Sequence, residues 1–156
     1  MPKGRPAKQG ANYTGDILES FVDTRIAERG YTFIDKNRFA AACYLEQPIY
    51  TRQFHIAESI YETALNCDFI LYHPQKHPNR LVIDAKWQQR GGSVDEKYPF
   101  LILNIKYRYL TPTVIVLDGG GYKATAEQWL RAQVGDNLLH VFNMAQFQTW
   151  ANNGGI

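Results

Sequence analysis

No apolar run in this chain approaches the ~20 consecutive residues that a membrane-spanning helix requires. Its opening, MPKGRPAKQG, has none of the apolar stretch of a secretory signal. Cysteine is almost absent: Cys43 and Cys67 are the only two, with no CxxC spacing. That argues against a disulfide framework and a structural zinc site, and it predicts a reducing, cytoplasmic location. A phosphate-cradling loop is also missing. The glycines at 119–121 lack both the Lys-Ser/Thr of a P-loop and GxGxxG spacing, so they read as a turn.

At 156 residues the chain fits one domain able to bury most of its apolar surface. The net charge of +2 is unevenly placed. Lys3, Arg5 and Lys8 open the chain without an acid among them, which leaves fourteen bases against fifteen acids elsewhere. Residues 1–12 therefore read as a basic, flexible tail, and 13–156 as a single domain. PKGRP within the tail resembles an AT-hook core, whose Arg-Pro lies in an A·T-rich minor groove. A solubilising tail accounts for it equally well.

Ile17, Leu18, Phe21, Val22 and Ile26 recur at helical spacing over 15–30, with Thr14 or Asp16 as cap and Gly30 as stop. Glu19 flanks that apolar stripe. Strand-like stretches rich in aromatic and β-branched residues follow through residue 66. CDFILYHPQKHPNRLVIDAKWQ then reads as strand, connection, strand. His73 and His77 have the HxxxH spacing of a zinc helix, but Pro74, Pro78 and Asn79 make this a loop. Ser93 and Glu96 fit a capping box ahead of a buried helix through PFLILNIKYRYL. TPTVIVLDGGG is a buried strand, ATAEQWLRAQ a helix, LLHVFN a strand and MAQFQTWAN a last helix. The order predicts an α/β protein with a central mixed sheet flanked by helices.

LVIDAKWQ, residues 81–88, carries the strongest chemical signal. Alternation places Leu81, Ile83, Ala85 and Trp87 on one face, and Val82, Asp84, Lys86 and Gln88 on the other. The second face turns ionic toward its end. A solvated edge strand would also show this pattern. If the preceding strand pairs antiparallel, however, Asp68 near its start comes beside Asp84. Two carboxylates on rigid backbone, with positions left for water and substrate, are what a divalent metal needs. Lys86 beside them can orient or deprotonate a water and stabilise charge on a phosphate.

Asp68 followed sixteen residues later by Asp84-Ala85-Lys86 resembles the PD-(D/E)XK nuclease signature, with Cys67 in place of its proline. The order of elements extends the likeness over most of the chain and implies a restriction-endonuclease-like core. The resemblance further implies Mg²⁺-dependent hydrolysis of DNA phosphodiesters, with Mn²⁺ as a substitute. In that scheme Asp68, Asp84 and the Ala85 carbonyl hold the metal and Lys86 positions the water. Glu19 matches a first-helix glutamate that joins the metal site, and Gln88 fits an extended D-x-K-x-Q form. Glu19 also reads as a solvated helix residue, and Gln88 as a loop anchor.

Small size points to a stand-alone, site-specific endonuclease of restriction or homing type, acting on double-stranded DNA as a homodimer or larger homo-oligomer. The alternatives are a Holliday-junction resolvase and, from another class, a catalytically silent DNA-binding module. The intact Asp68, Asp84 and Lys86 speak against the last. Lys3, Arg5, Lys8, Arg90, Lys106 and Arg108 are the candidate DNA-binding cations, with Tyr98, Tyr107 and Tyr109 interleaved near the last two.

Overall fold

The computed structural model describes residues 11–88 and 94–156. The tail cations Lys3, Arg5 and Lys8, together with Arg90 and Ser93 of the expected capping box, lie outside the described residues.

Six strands lie side by side in chain order: β1 (Thr32–Phe33), β2 (Ile49–Glu58), β3 (Ala64–His73), β4 (His77–Trp87), β5 (Thr113–Asp118) and β6 (Leu138–Phe142). β2, β3 and β4 form an antiparallel meander. β5 and β6 then run parallel to β4. Parallel neighbours need long crossovers. These are supplied by α3 (Val94–Asn104), which continues into the π-helical turn Ile105–Tyr109, and by α4 (Ala124–Ala132).

Both faces of the sheet are covered, because β4 and β5 are apolar on both. On one side Leu18, Val22 and Ile26 of α1 (Ala11–Glu28) and Phe147 of α5 (Met144–Asn152) pack on Phe69, Leu71, Leu81, Ile83 and Val116. On the other, Tyr98, Ile102, Ile105 and Leu130 pack on Ile70, Val82, Ile115 and Leu117. Each such aliphatic side chain contributes roughly 1.5–3 kcal/mol on burial. The expected mixed sheet with helices on both faces is present.

Several boundaries differ from expectation. α1 starts at Ala11, so Thr14 and Asp16 lie within the helix and do not cap it. Nothing between Ala11 and Asp16 breaks a helix except Gly15, a tolerated cost of ~1 kcal/mol. Gly30, at φ 91°, does end the segment. Residues 31–48 hold a two-residue strand, β1, parallel to β2, and a short helix, α2 (Phe39–Ala42). His73 and His77 serve the β3–β4 turn: Nδ1 of His73 accepts from the backbone N–H groups of Gln75 and Lys76, and Nε2 of His77 lies 2.8 Å from the Gly155 carbonyl.

β4 ends against the glycine turn. Gln88 N–H donates to the Asp118 carbonyl at 2.9 Å, and Gly121 N–H donates to the Gln88 carbonyl at 2.6 Å. Gly119 has φ 106°, and a Cβ there would sit 2.4 Å from the Gln88 carbonyl oxygen. Gly120 has φ 71° and open space around it. Gly119→Ala is therefore expected to cost more than Gly120→Ala, about 2–4 kcal/mol against ~1 kcal/mol. Urea denaturation of both variants checks the order, and equal midpoints would show that the close approach to Gln88 carries no weight.

Candidate active site

The pairing of β3 with β4 runs from His73 down to Phe69, opposite Ile83, and stops there. Below that point β3 stays with β2 while β4 continues with β5 through Ala85, Lys86 and Trp87. The two strands diverge, and Asp68 and Asp84 occupy the apex of the gap. Asp68 is thus mid-strand in β3, one residue before the part that pairs with β4.

Side chains replace the missing ladder bonds. Asp68 N–H donates to Asp84 Oδ1 at 3.0 Å, and Ala85 N–H donates to Asp68 Oδ2 at 2.8 Å. In a strand the N–H and C=O of one residue point to the same side, which turns the Ala85 carbonyl toward this gap as well. The other oxygen of Asp84 accepts from the Tyr109 hydroxyl at 2.9 Å. Tyr109 reaches it from the π-helical turn, a device that frequently re-aims a side chain at a functional site. Gln53 Nε2 approaches Asp68 Oδ1 at 3.3 Å.

β2 and β3 change faces at this rung. Tyr50 and Arg52 lie on the α1 side, whereas Phe54 and Ile56 pack on the α3 side. In β3, Leu71 and Phe69 belong to the first side, Cys67 and Leu65 to the second. Register is kept across the switch, with Arg52 opposite Phe69 and Phe54 opposite Cys67. Gln53, the residue between, takes φ 49°.

The electrostatics follow from burial. Asp84 is 1% exposed, and desolvation, followed by the charge of Asp68, pushes its pKa up to about 6. Lys86, Asp68 N–H and Tyr109 pull in the other direction. Lys86 Nζ sits 3.9 Å from Asp68 Oδ2. Burial lowers its pKa, but Asp68, Asp84 and Glu19 outweigh that and leave it raised. Lys86 is therefore a cation here, fitted to hold a water or phosphate oxygen. Burial and Asp68 raise Glu19, although Arg52 opposes them.

Glu19 is not part of a three-carboxylate cluster. Arg52, stacked 5.2 Å over Phe69, holds it at 2.7 Å. Among the described residues no group of three His, Cys, Asp or Glu side chains is close enough to ligate one ion. The donor chemistry nevertheless suits a hard dication: two carboxylates, one buried and strained toward neutrality, with a carbonyl turned to the same gap. Magnesium binds through one or two carboxylates and keeps several waters.

Gln88 is 3% exposed and its amide donates to the Gly121 carbonyl at 3.3 Å. Tyr98 and Tyr109 are buried, so of the three tyrosines considered for DNA contact only Tyr107 is at the surface. Arg108 is exposed, and Lys106 lies 3.9 Å from Asp136. Sequence reasoning missed Arg52, Gln53 and Tyr109. The hairpin register would have put the first two opposite Phe69 and Asp68. No local pattern announces the π-turn that delivers Tyr109.

No described helix is long and apolar enough to cross a membrane. Neither a curated protein nor a solved structure matches the chain. A family model, the PD-(D/E)XK nuclease superfamily domain, matches residues 10–155. Nucleases of that superfamily typically use divalent metals and act on nucleic acids, and the six-stranded mixed sheet between helical layers is consistent with their restriction-endonuclease-like fold. A match over nearly the whole length, on a chain whose Asp68, Asp84 and Lys86 meet at one strand junction, leaves one conclusion: this protein belongs to the PD-(D/E)XK nuclease superfamily.

Proposed function

We propose that this protein is a Mg²⁺-dependent, site-specific endonuclease of restriction or homing type that cuts double-stranded DNA, with Mn²⁺ able to substitute. The observation that carries the reading is the Asp68–Asp84 pair at the apex of the β3–β4 gap, with the Lys86 ammonium beside it. Asp68, Asp84 and the Ala85 carbonyl would hold the metal. When bound, the ion supplies a Lewis acid for the phosphate and a more acidic water.

The chain's own residues account for the rest. Lys86 holds a water oxygen in line with phosphorus and stabilises charge on a non-bridging oxygen. That oxygen bonds to phosphorus, the water proton is lost to solvent, one P–O bond to a sugar breaks, and the leaving sugar oxygen takes a proton from solvent water. The Tyr109 hydroxyl and Asp68 N–H keep the Asp84 carboxylate in one orientation. Glu19, once Arg52 releases it, adds a carboxylate to the site, and Gln88 anchors the glycine turn where β4 ends. Arg108 and Lys106, and beyond the described residues Lys3, Arg5, Lys8 and Arg90, are the cations proposed to meet phosphates.

Three outcomes test this. Purified protein with Mg²⁺ should cleave plasmid or genomic DNA and stop in EDTA, while Asp84→Asn and Lys86→Ala each lose at least about 100-fold in rate. Cleavage at the parent rate by either variant would remove these residues from the chemistry. A four-way junction cut in preference to linear duplex would turn the reading toward a resolvase.

Second, Asp84→Asn should stabilise the metal-free fold. A carboxyl raised in the folded state above its unfolded value of about 4 contributes stability below that value and loses it as pH rises through about 6. The variant should therefore be about 1–3 kcal/mol more stable at pH 7.5, with the gap closing toward pH 4. Urea melts in EDTA at both pH values report it, and a variant less stable at pH 7.5 would contradict the sign.

Third, one site per chain places one water against one phosphodiester, so cutting both strands in one encounter needs two chains. Light scattering at micromolar concentration should give at least a dimer, and supercoiled plasmid should become linear without accumulating nicked circles. The aromatic-rich, weakly charged segments 39–50 and 142–150 are the proposed contact surfaces. Tyr44 and Leu45 in the first are exposed, and His140, Phe142 and Trp150 line an apolar groove of about 460 Å³ beside the second. A monomer that nicks first would refute the claim.

A further inference from the structure

The gap between β3 and β4 is deeper than two carboxylates and a metal require. Beyond Asp84 it opens under α3 into a partly enclosed cavity of about 350 Å³, with Leu65 on the β3 side, Lys86 on the β4 side, and Lys97, Phe100 and Asn104 along α3. Tyr109, whose hydroxyl holds Asp84, lines it too, so cavity and carboxylates share one wall. We infer that this cavity receives a single nucleobase withdrawn from the helical stack, belonging to the nucleotide whose phosphate lies on Asp68, Asp84 and Lys86. The inference deepens the nuclease reading and rests on it.

Three observations carry it. The first is Asn104, only 2% exposed, whose Oδ1 accepts from Ile60 N–H at 2.9 Å. Its Nδ2 has no hydrogen-bond partner among the described residues, although Asn104 lines the cavity. It is not among the fully buried unsatisfied atoms, so on a residue otherwise buried this donor keeps some exposure and is free to meet a ligand. The second is the wall opposite the sheet. Phe100, which lines the cavity, stacks on Tyr61, 73% exposed, at 5.1 Å and 23°, so an aromatic surface runs from the cavity wall to the protein surface. Bases stack on such surfaces whatever their identity. The third is size and charge. The volume is at the low end for a small-ligand pocket, enough for one base and its sugar but not for a dinucleotide. Lys97 and Lys86 add the positive charge that the attached phosphate requires.

Enzymes that work at one nucleotide can withdraw its base into a fitted pocket, offsetting a few kcal/mol of lost stacking with contacts to ring and edge. Here the withdrawal would also bend the backbone into the gap between the strands. The cost of unstacking depends on the step, so the cavity would help set where the protein cuts.

The test titrates the full ¹⁵N-labelled chain, in Ca²⁺, with each deoxynucleoside 5′-monophosphate and with 2-deoxyribose 5-phosphate, which has the same phosphate and no base. At least one nucleotide should bind ten-fold or more tighter than the sugar phosphate and shift the Asn104 side-chain amide. Leu65→Trp, which fills the cavity, should abolish that preference while leaving sugar-phosphate binding unchanged. Should that variant fail to fold, Asn104→Asp keeps the acceptor for Ile60 and removes the donor, and it too should lose the preference. Equal binding of nucleotides and sugar phosphate by the parent, or an undiminished preference in the folded variants, overturns the inference. Cleavage of DNA without a nucleotide preference would sink only this inference. A nucleotide preference without cleavage would sink only the nuclease reading.

Discussion

The rest of the site depends on the loss of one rung of backbone pairing. Where β3 and β4 would continue their ladder, the carboxylates of Asp68 and Asp84 accept the N–H groups instead. A ladder bond joins two groups that are then spent. A carboxylate oxygen has two lone pairs, so after accepting one N–H it can still bind a cation. The strands can therefore separate without leaving these two donors unsatisfied, and the separation creates both the carboxylate-lined edge and the cavity behind it. Without those two side chains the gap would expose unpaired backbone, at a cost of about 1–3 kcal/mol for each group.

Holding the gap open is unfavourable in the metal-free protein. Asp84 is buried beside a second carboxylate, with one ammonium at 3.9 Å from its neighbour and only a backbone N–H and a tyrosine hydroxyl as its direct partners. The surrounding sheet tolerates this because it is apolar and well packed on both faces at Ile83, Val82 and Ile115. Stability elsewhere supports an electrostatically strained centre, and a dication would relieve that strain. Glu19, paired with Arg52, contributes one carboxylate that is already neutralised and so adds little to it.

Much of this was legible in the sequence because it depends on alternation and order. Leu81, Ile83, Ala85 and Trp87 do pack on the α1 side while Asp84 faces Tyr109 on the other. The meander, the crossover helices and the meeting of Asp68 with Asp84 follow from the same rules. Alternation places Asp84 on a face that turns ionic and a solvated edge would show the same pattern, yet Asp84 is buried, because α3 and the π-turn arch over the strand end. The tyrosines are separated by helical spacing. Tyr98, Ile102, Ile105 and Tyr109 recur at i, i+4, i+7 and i+11 and are buried together, while Tyr107 falls on the opposite side and is exposed. What the spacing does not record is that the last of them reaches Asp84.

The face switch shared by β2 and β3 has a consequence for how this sequence can vary. Inserting or deleting one residue in a strand normally turns a whole face inside out. Here Gln53 and Asp68 already make that half-turn together, in register. A single insertion near either would restore simple alternation in one strand and leave its neighbour reversed, driving Arg52 or Cys67 to the wrong side. Beside Gln53 and Asp68, length changes therefore keep both faces only as matched pairs, one in each strand, whereas the register shift between His55 and Ala57 already absorbs one unmatched residue nearer the Ser59–Thr63 turn.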